Sequence, residues 1–370
     1  MNQLKQGKQS IYKNINRLKS EGVLMTQKLR VGIIGCGGIA QGRHIPNLKK
    51  LSGSAEITGL YDINQELANK VAAEYEIDFV AHDMDELWDK VDAVVICTPN
   101  KFHAEMSIAA LKAGVHVFCE KPMAMNAKEC DQMIAAAKES DKLLAIGYHY
   151  RFTEAATTAK KAIEEGVVGV PLVTRVQAMR RRKVPGWGVF TNRELQGGGS
   201  LIDYGCHLLD LSMWLLNNAK PVEVTGRTYN RLSKTPNQIN DWGAIDSKTF
   251  DVDDHVTSYI TFEDGASLQF ECSWSANIKE DGMHLSISGV DGGLNLYPFE
   301  IYQPRFGTFF NEQANVAHDE EQAAQRQTMN FVNSCLGKEE LVVQPEQARQ
   351  INVLIDAIYE SDQERRSIQL

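Results

Sequence analysis

Asp203 and His207 have the types and the spacing of residues that act together in acid–base chemistry. They lie four residues apart in the segment GGGSLIDYGCH, residues 197–207, so on a helix they would share one face. A neutral histidine can accept the proton of an alcohol as hydride leaves the same carbon, while a neighbouring carboxylate orients the imidazole and stabilises its charged form. The alternative is structural: Ser200 and Asp203 would form a capping box, and His207 would be a core histidine among leucines. The segment alone supports both interpretations.

A glycine-rich turn predicts a dinucleotide site near the start of the chain. The pattern Gly35-x-Gly37-x-x-Ala40 follows a short β-branched strand and precedes a helix, which lets pyrophosphate approach the helix N-terminus closely. Asp62 ends the next predicted strand, where a carboxylate accepts both ribose hydroxyls of NAD and repels the 2′-phosphate of NADP. A ligand-free turn and a helix-capping role for Asp62 are the alternatives. We expect NAD rather than NADP, bound by Gly35, Gly37, Gly38, Ile39, Ala40 and Asp62.

Two further loops follow predicted strands of the same sheet. Thr98, Pro99 and Asn100 come after the apolar strand at residues 93–97, at the carboxyl edge where doubly wound sheets bind ligands. Lys121 follows the strand at residues 116–119, and a lysine held there can direct its ammonium group into a cleft beside a nicotinamide. Without further context, a surface lysine before a turn proline is the more common arrangement.

The elements that must position these residues change character near residue 150. Up to there, strands alternate with helical segments, which predicts a doubly wound parallel Rossmann sheet at residues 28–150. Beyond it, strands come in adjacent pairs, such as 255–262 with 267–273, and predict an α+β domain with an open, mostly antiparallel sheet at residues 151–370. Two late helices, at 322–336 and 345–361, have apolar residues at helical spacing and are expected to pack back on the first domain.

Composition and charge narrow the functional classes. The chain of 370 residues has a net charge of −9, which repels phosphate backbones and anionic membranes, so neither nucleic-acid nor membrane binding is expected. Its apolar runs are shorter than the roughly 20 residues that span a bilayer. The seven cysteines contain no Cys-x-x-Cys pair, which indicates neither a disulfide framework nor a zinc site. We therefore expect a cytoplasmic protein without a metal.

Residues 1–27 form a basic extension, of which residues 1–24 are predicted to be dispensable. Met25 provides a second start for translation, and the extension lacks the apolar core of a secretory signal. A mitochondrial presequence is the alternative, although such presequences favour arginine over the lysine found here.

Taken in order, these motifs resemble the Gfo/Idh/MocA oxidoreductases, the relatives of glucose-fructose oxidoreductase and inositol dehydrogenase. The resemblance covers about residues 29–365 and includes His103 after Asn100 and the run Glu120-Lys121-Pro122. It implies that Lys121 polarises the reacting hydroxyl, that His207 is the general acid/base, and that Asp203 binds substrate or tunes the histidine. A cis bond before Pro122 and a homodimer or homotetramer assembled through the second sheet are also implied. The implied cofactor contacts are Thr98, Pro99, Asn100, His103, Glu120 and Lys121.

Three more residues are expected to reach the substrate. Residues 147–152 resemble the family's crossing between domains, where His149 and Arg151 would contact substrate or cofactor; Arg151 would otherwise pair with an acidic surface residue. Residues 180–190, RRRKVPGWGVF, resemble the subgroup that acts on glucosides and related pyranoses, in which Trp187 would stack on a sugar face and an arginine would donate to hydroxyls. For the arginine run as a whole, a solvated basic loop is favoured.

We therefore predict an NAD-dependent dehydrogenase that oxidises a secondary hydroxyl of a sugar, glycoside or cyclitol to a ketone. His207 removes the hydroxyl proton as hydride leaves the carbon, and Lys121 stabilises the developing oxyanion. Two alternatives stay open: a redox-neutral, NAD-dependent cleavage of a glycoside, and a noncatalytic sensor of NAD or sugar on the same fold.

Overall fold

The computed structural model describes residues 28–317 and 319–370. Within them, one sheet has five parallel strands and the other has nine mostly antiparallel strands. The predicted fold class, a Rossmann sheet followed by an α+β domain with an open sheet, is confirmed. The predicted basic extension at residues 1–27 lies outside the described residues. No helix in the described ranges is long and apolar enough to cross a membrane.

The first sheet has the strand order β2-β1-β3-β4-β5. Its strands are β1 (Leu29–Ile34), β2 (Ala55–Tyr61), β3 (Ala93–Ile96), β4 (His116–Cys119) and β5 (Leu144–Ile146). The connecting helices are α1 (Ile45–Lys50, preceded by a π turn at Ala40–His44), α2 (Gln65–Tyr75), α3 (His103–Lys112) and α4 (Ala127–Ser140), with 3₁₀ turns at Met84–Lys90 and Asn100–Phe102. Because the strands run parallel, the loops that follow β1, β2, β3 and β4 meet at one edge of the sheet.

The second sheet has the strand order β13-β12-β11-β10-β6-β9-β8-β7-β14. Its strands are β6 (Pro171–Met179), β7 (Pro221–Tyr229), β8 (His255–Phe262), β9 (Ser267–Ser273), β10 (Gly282–Gly289), β11 (Gly293–Leu296), β12 (Phe299–Arg305), β13 (Thr308–Gln313) and β14 (Ile368–Gln369). The helical segments before and between them are a 3₁₀ turn (His149–Phe152), α5 (Glu154–Glu164), α6 (Arg193–Gln196), a π turn (Leu201–Gly205) that continues as α7 (Cys206–Leu215), and α8 (Arg231–Lys234). β6 and β9 run parallel to each other, whereas the other neighbours in the sheet are antiparallel.

The last two helices, α9 (Glu320–Cys335) and α10 (Pro345–Glu364), contact both sheets. Phe331 of α9 packs edge-on against Phe118 of β4, with ring centroids 5.5 Å apart. At the end of α10, the Ser361 hydroxyl accepts a hydrogen bond of 2.9 Å from the backbone N–H of Gly226 in β7. The two helices therefore fix the position of the Rossmann sheet relative to the open sheet.

Candidate active site

The glycine turn after β1 has a backbone conformation that glycine adopts readily. Gly35 has φ of +90°, and a Cβ there would lie 2.9 Å from the carbonyl carbon of Cys97. A Cβ at Gly37 or Gly38 would meet no atom within 4 Å, so this side of the turn is open. The helix that follows has no side-chain cap at Ile39, which leaves backbone N–H groups available to an anion.

Asp62 fastens this turn to the end of β2. Its Oδ2 accepts a hydrogen bond of 2.7 Å from the Cys36 backbone N–H, and its Oδ1 accepts one of 2.8 Å from the Asn64 N–H. The cap of α2 is Asn64, whose side chain accepts from the Leu67 N–H, so a capping role for Asp62 is wrong. The carboxylate lies beside the glycine turn at the sheet edge, where the predicted ribose contact requires it.

Three polar side chains, those of Thr98, Asn100 and His103, lie in or just after the loop that follows β3. The Thr98 hydroxyl is buried and makes no hydrogen bond within the described residues, while the Asn100 side chain donates to the Gln196 carbonyl at 2.9 Å. His103 is fully buried, with its ring nitrogens 2.8 Å from the Pro122 carbonyl oxygen and 3.0 Å from that of Thr98. His103 thus joins two loops of the edge, with both nitrogens facing backbone oxygens, and its contact with the cofactor stays a prediction.

Glu120 is a buried carboxylate that supports the neighbouring lysine. Its Oε1 lies 2.6 Å from Nε2 of His44, and its Oε2 accepts a hydrogen bond from the Lys121 backbone N–H. Burial raises the pKa of Glu120, but His44, Arg43 and Lys121 outweigh burial and hold that pKa well below its ordinary range. The bond between Lys121 and Pro122 is cis, as the resemblance implied.

The segment with Asp203 and His207 starts as a π turn and continues as α7. The buried carboxylate of Asp253 anchors its start by accepting hydrogen bonds from the Gly199 N–H, the Ser200 hydroxyl and the Leu201 N–H, at 2.8, 2.8 and 3.0 Å. A Cβ at Gly199 would overlap the backbone oxygen of Asp253, so this close approach requires glycine. Ser200 does not cap the helix, and the capping-box alternative is therefore wrong.

Lys121 and Asp203 connect the two domains. The Lys121 ammonium donates to the Asp203 backbone oxygen at 2.8 Å and to its Oδ1 at 3.1 Å. The Trp274 indole N–H donates to Oδ2 at 3.0 Å, and a guanidinium nitrogen of Arg180 lies 3.6 Å from the same oxygen. Burial raises the pKa of Asp203, but Lys121 and Arg180 outweigh burial and lower it. Burial likewise lowers the pKa of Lys121, but Asp203 and Glu120 together outweigh burial and raise it. The pair is a carboxylate and an ammonium group.

His207 is a buried imidazole beside this pair. Its ring stacks on Tyr150 with centroids 4.7 Å apart and meets the His149 ring edge-on at 5.0 Å. Burial and nearby positive charge, above all that of Lys121, hold the pKa of His207 well below 6.5, so the ring is neutral at pH 7. Its Nδ1 is buried without a partner among the described residues, and buried polar atoms of this kind concentrate at sites of function or ligand binding.

His149 lies between the two domains with both ring nitrogens engaged. Its Nδ1 is 3.4 Å from a guanidinium nitrogen of Arg43, and its Nε2 is 3.1 Å from a carboxylate oxygen of Glu320. Since a guanidinium only donates and a carboxylate only accepts, this geometry assigns the proton of a neutral His149 to Nε2. His149 is thus placed to hold the His207 ring, and its contact with substrate stays a prediction.

Arg151 is completely buried, and its contact with substrate or cofactor stays a prediction. It forms two hydrogen bonds of 2.8 and 2.5 Å to the carboxylate of Asp210, and further N–H groups donate to Val342 and Gln347. Because these partners occupy its donors, Arg151 links the crossing segment to α7, to the segment before α10 and to the first turn of α10. The partner is a buried carboxylate, not the surface one of the alternative interpretation.

One arginine of the basic run reaches the site. The Arg180 guanidinium lies over the rings of Tyr204 and Trp242, at 4.1 and 4.6 Å from their centroids. Trp242 in turn lies 5.6 Å from Trp187, whose side chain is 54% exposed and available to a ligand. The rest of the run pairs with surface groups such as Asp281, as expected of a solvated loop.

Sequence reasoning missed several members of this cluster, and it predicted that an arginine of the run 180–190 would reach the site without saying which one. Arg180 follows β6 and Trp274 follows β9, and these strands end side by side because they are parallel neighbours. Hairpin signals predict antiparallel pairs and gave no indication of this parallel one. The feature of the sequence that could have identified Arg180 and Trp274 is that each directly follows a strand. The other residues missed are Tyr150, Tyr204, Trp242, Asp253 and Glu320.

The first domain fits a dinucleotide. The open side of the glycine turn, the uncapped helix start, the Asp62 carboxylate and the unpartnered Thr98 hydroxyl lie at one sheet edge. No group of three or more His, Cys, Asp or Glu side chains that could hold a metal ion occurs in the described ranges.

Comparison with known protein families matches both domains. A family model described as an oxidoreductase family with an NAD-binding Rossmann fold matches residues 29–148. A model of the GFO/IDH/MocA C-terminal domain matches residues 156–295.

Individual relatives extend the match along the chain. D-glucoside 3-dehydrogenase of Escherichia coli (strain K12) is 34% identical over 354 residues, which cover 95% of this chain and 100% of the relative. Levoglucosan dehydrogenase of Pseudarthrobacter phenanthrenivorans is 28% identical over 272 residues, 69% of this chain and 68% of the relative. A solved structure of levoglucosan dehydrogenase in complex with NADH and levoglucosan has a TM-score of 0.79 at 23% identity and covers 93% of this chain and 99% of that one, which shows a shared fold.

Proposed function

The chain belongs to the Gfo/Idh/MocA family of NAD-binding oxidoreductases, and on this basis we propose that it oxidises a secondary hydroxyl of a sugar, glycoside or cyclitol to a ketone, with a glucoside as the preferred substrate. The family resemblance and NAD as cofactor, both predicted from the motifs, are confirmed by the family models. The preference for a glucoside is supported by the relative named D-glucoside 3-dehydrogenase, which matches over its whole length.

The roles of the site residues follow from their charge states. Lys121, held as an ammonium group by Asp203, donates a hydrogen bond to the reacting hydroxyl oxygen and stabilises the negative charge that develops there. His207, neutral at pH 7, accepts the proton of the same hydroxyl. NAD, when bound, supplies the hydride acceptor for the carbinol carbon. Arg180 and Trp187 are proposed to hold the sugar ring through hydrogen bonds and stacking.

A single observation carries the proposal: a neutral imidazole and a fixed ammonium group belong to one cluster. Two titratable groups whose environments push their pKa values apart are the arrangement expected of a base and an electrophilic partner. Here the burial and charge that lower the pKa of His207 accompany a carboxylate that raises the pKa of Lys121. A sensor of NAD or sugar has no need for this arrangement.

The test is a substrate panel with a product assay. Purified protein is mixed with NAD or with NADP and with glucosides, free hexoses, anhydrosugars and inositols, while NADH absorbance and sugar products are followed. We expect NADH and a keto-sugar to form in equal amounts from a glucoside. A cleaved glycoside without net NADH would support the redox-neutral alternative. Tight NAD binding without any product would support the sensor. The cytoplasmic location, the homodimer or homotetramer and the lack of a nucleic-acid partner stay predictions.

A further inference from the structure

A cavity of about 390 Å³ opens beside the catalytic cluster and has no role in the chemistry described above. Tyr150 belongs to both places, because it lines the cavity and its ring stacks on His207 with centroids 4.7 Å apart. Glu320 lines the cavity too, and its carboxylate contacts His149 at 3.1 Å. The cavity therefore begins where the catalytic cluster ends.

The pairing of strands in the open sheet also shows that the cavity lies close to the catalytic cluster. Met283, at the start of β10, lines the cavity and pairs in register with Ala178 of β6. Two residues beyond Ala178, Arg180 turns toward the carboxylate of Asp203. One strand spacing, about 5 Å, thus separates the strand that leads to Arg180 from the strand that forms the cavity wall.

The walls of the cavity are mostly apolar and aromatic. They include Met283, Leu296, Phe299, Val316 and the two tyrosines Tyr150 and Tyr297. The charged side chains that line it are acidic, Asp319 and Glu320, and no lysine or arginine of the described residues is among them. Asp319 pairs with Arg326, and Glu320 pairs with Arg43 and His149. Such walls favour a neutral group with an apolar face, because burying a phosphate or a carboxylate against apolar side chains costs free energy.

Resting on the proposed function, we propose that this cavity is the subsite for the neutral aryl or alkyl aglycone of a glucoside, which extends from the sugar ring held at Lys121 and His207. A volume of about 150 Å³ is enough to hold benzene, so the cavity accommodates a phenyl ring with room for a substituent. Tyr150 and Tyr297 offer aromatic faces to such a ring. The substrate class is thereby narrowed from sugars in general to glucosides with an uncharged organic substituent.

The test compares two substrates that differ only in the aglycone, methyl and phenyl β-D-glucoside, through the ratio of their kcat/KM values with NAD. We expect the wild-type protein to favour phenyl glucoside by about tenfold or more, as for other apolar groups that enter a fitted pocket. A 4-carboxyphenyl glucoside should lose this advantage, because its carboxylate would be buried against mostly apolar walls. Equal kcat/KM values for methyl and phenyl glucoside would overturn the proposal.

Met283→Trp tests the location of the subsite. Leu285 and Ile287 of β10 are buried, so alternation along the strand places Met283 on their face and His284 on the opposite one. Met283→Trp fills the cavity and should remove the preference for phenyl glucoside while changing kcat/KM for methyl glucoside by no more than about twofold. His284→Trp, the matched control on the other face, should leave the preference intact. Val316→Phe fills the same cavity from the segment before α9, and it serves if Met283→Trp does not fold.

Binding measurements separate failure of the subsite from failure of the proposed function. Calorimetric titration of the NADH complex with each glucoside reports affinity without turnover. If no glucoside is oxidised, the proposed function fails, and tighter binding of phenyl than of methyl glucoside that Met283→Trp abolishes would still support the subsite. Equal affinities, or a preference that survives both filling variants, would overturn it.

Discussion

Replacing Asp203 with Asn should move the alkaline limb of the pH–rate profile and leave the acid limb in place. In the wild-type protein burial lowers the pKa of Lys121, but Asp203 and Glu120 together outweigh burial and raise that pKa, so the ammonium group is present across the usual assay range. Asp203→Asn keeps the shape of this side chain and one of its two accepted hydrogen bonds, because the amide has one oxygen where the carboxylate has two, and it removes the charge. Burial then acts on Lys121 against a weaker opposing charge, because Glu120 remains as the neighbouring carboxylate.

The size of this effect follows from the geometry of the pair. The ammonium and carboxylate atoms lie 3.1 Å apart. A pair of unit charges about 4 Å apart attracts by about 4 kcal/mol at an effective dielectric constant of about 20, which equals about 3 pKa units. Because both side chains keep some solvent exposure and Glu120 remains, the change is smaller than this limit, and we expect the pKa of Lys121 to fall into the alkaline part of the assay range.

The assay is kcat for glucoside oxidation between about pH 6 and pH 10. Because the variant loses its ammonium form as the pH rises through this range, it should be at least about tenfold slower at about pH 9.5 than at about pH 6.5. The wild-type protein should stay active through this range, and both proteins should lose activity in acid only well below pH 6.5, as His207 takes up a proton. Activity of the variant that persists above pH 10 would refute the assigned link between Asp203 and Lys121.

A matched control is Asp281→Asn, which removes a carboxylate that pairs with Lys183 outside the catalytic cluster. Its pH–rate profile should coincide with that of the wild-type protein. NADH affinity, measured by fluorescence, should be unchanged in both variants. A shared loss of NADH binding would indicate a structural effect of the Asp203 substitution.

Three further predictions test the cofactor site, the base and the buried ion pair. His207→Asn should lower kcat by about 100-fold to 10,000-fold with NADH affinity unchanged, and a parallel loss of NADH binding would contradict its role as base. Asp62→Ala should raise KM for NAD about tenfold or more and reduce the preference of the enzyme for NAD over NADP. An unchanged ratio of kcat/KM with NAD to kcat/KM with NADP would exclude the ribose contact. Arg151→Met leaves the buried carboxylate of Asp210 unpaired and should cost about 3 to 5 kcal/mol in the free energy of unfolding by urea, and Asp210→Leu in the same chain should restore most of it. A stable Arg151→Met variant with a raised KM for sugar would instead return Arg151 to the substrate site.

The parts of the site that sequence predicted are those specified locally. Gly35 needs a left-handed backbone and a close approach to β3, and both requirements appear in the sequence as a glycine between a strand and a helix. Asp62 directly follows the second strand of the Rossmann sheet, and this position alone predicted its place at the sheet edge. For the same reason the strands and helices of the Rossmann domain follow the predicted pattern closely.

The parts that sequence missed depend on partners far along the chain. The four-residue spacing of Asp203 and His207 suggested that the carboxylate would orient the imidazole, whereas the hydrogen bonds of this carboxylate go to Lys121 and Trp274. The orientation of the Asp203 carboxylate depends on the π turn that precedes α7 and on the indole of Trp274, which directly follows β9. The hairpin formed by β12 and β13 was also missed, because a strongly exposed pair of strands lacks a clear apolar alternation.

Helix α10 explains how Lys121 and Asp203, from two domains, are held at bonding distance. Near its middle, the side chains of Asn352 and Asp356 bond to the Ala124 oxygen and the Ala127 N–H, close after the lysine, both at 2.8 Å. One turn further on, the Tyr359 hydroxyl donates at 2.7 Å to Asp253, the carboxylate that anchors the helix carrying Asp203. A single rigid helix thus contacts the supports of both catalytic groups, so the late helices are part of the machinery that sets the active-site geometry, although none of these three side chains belongs to the acid–base set.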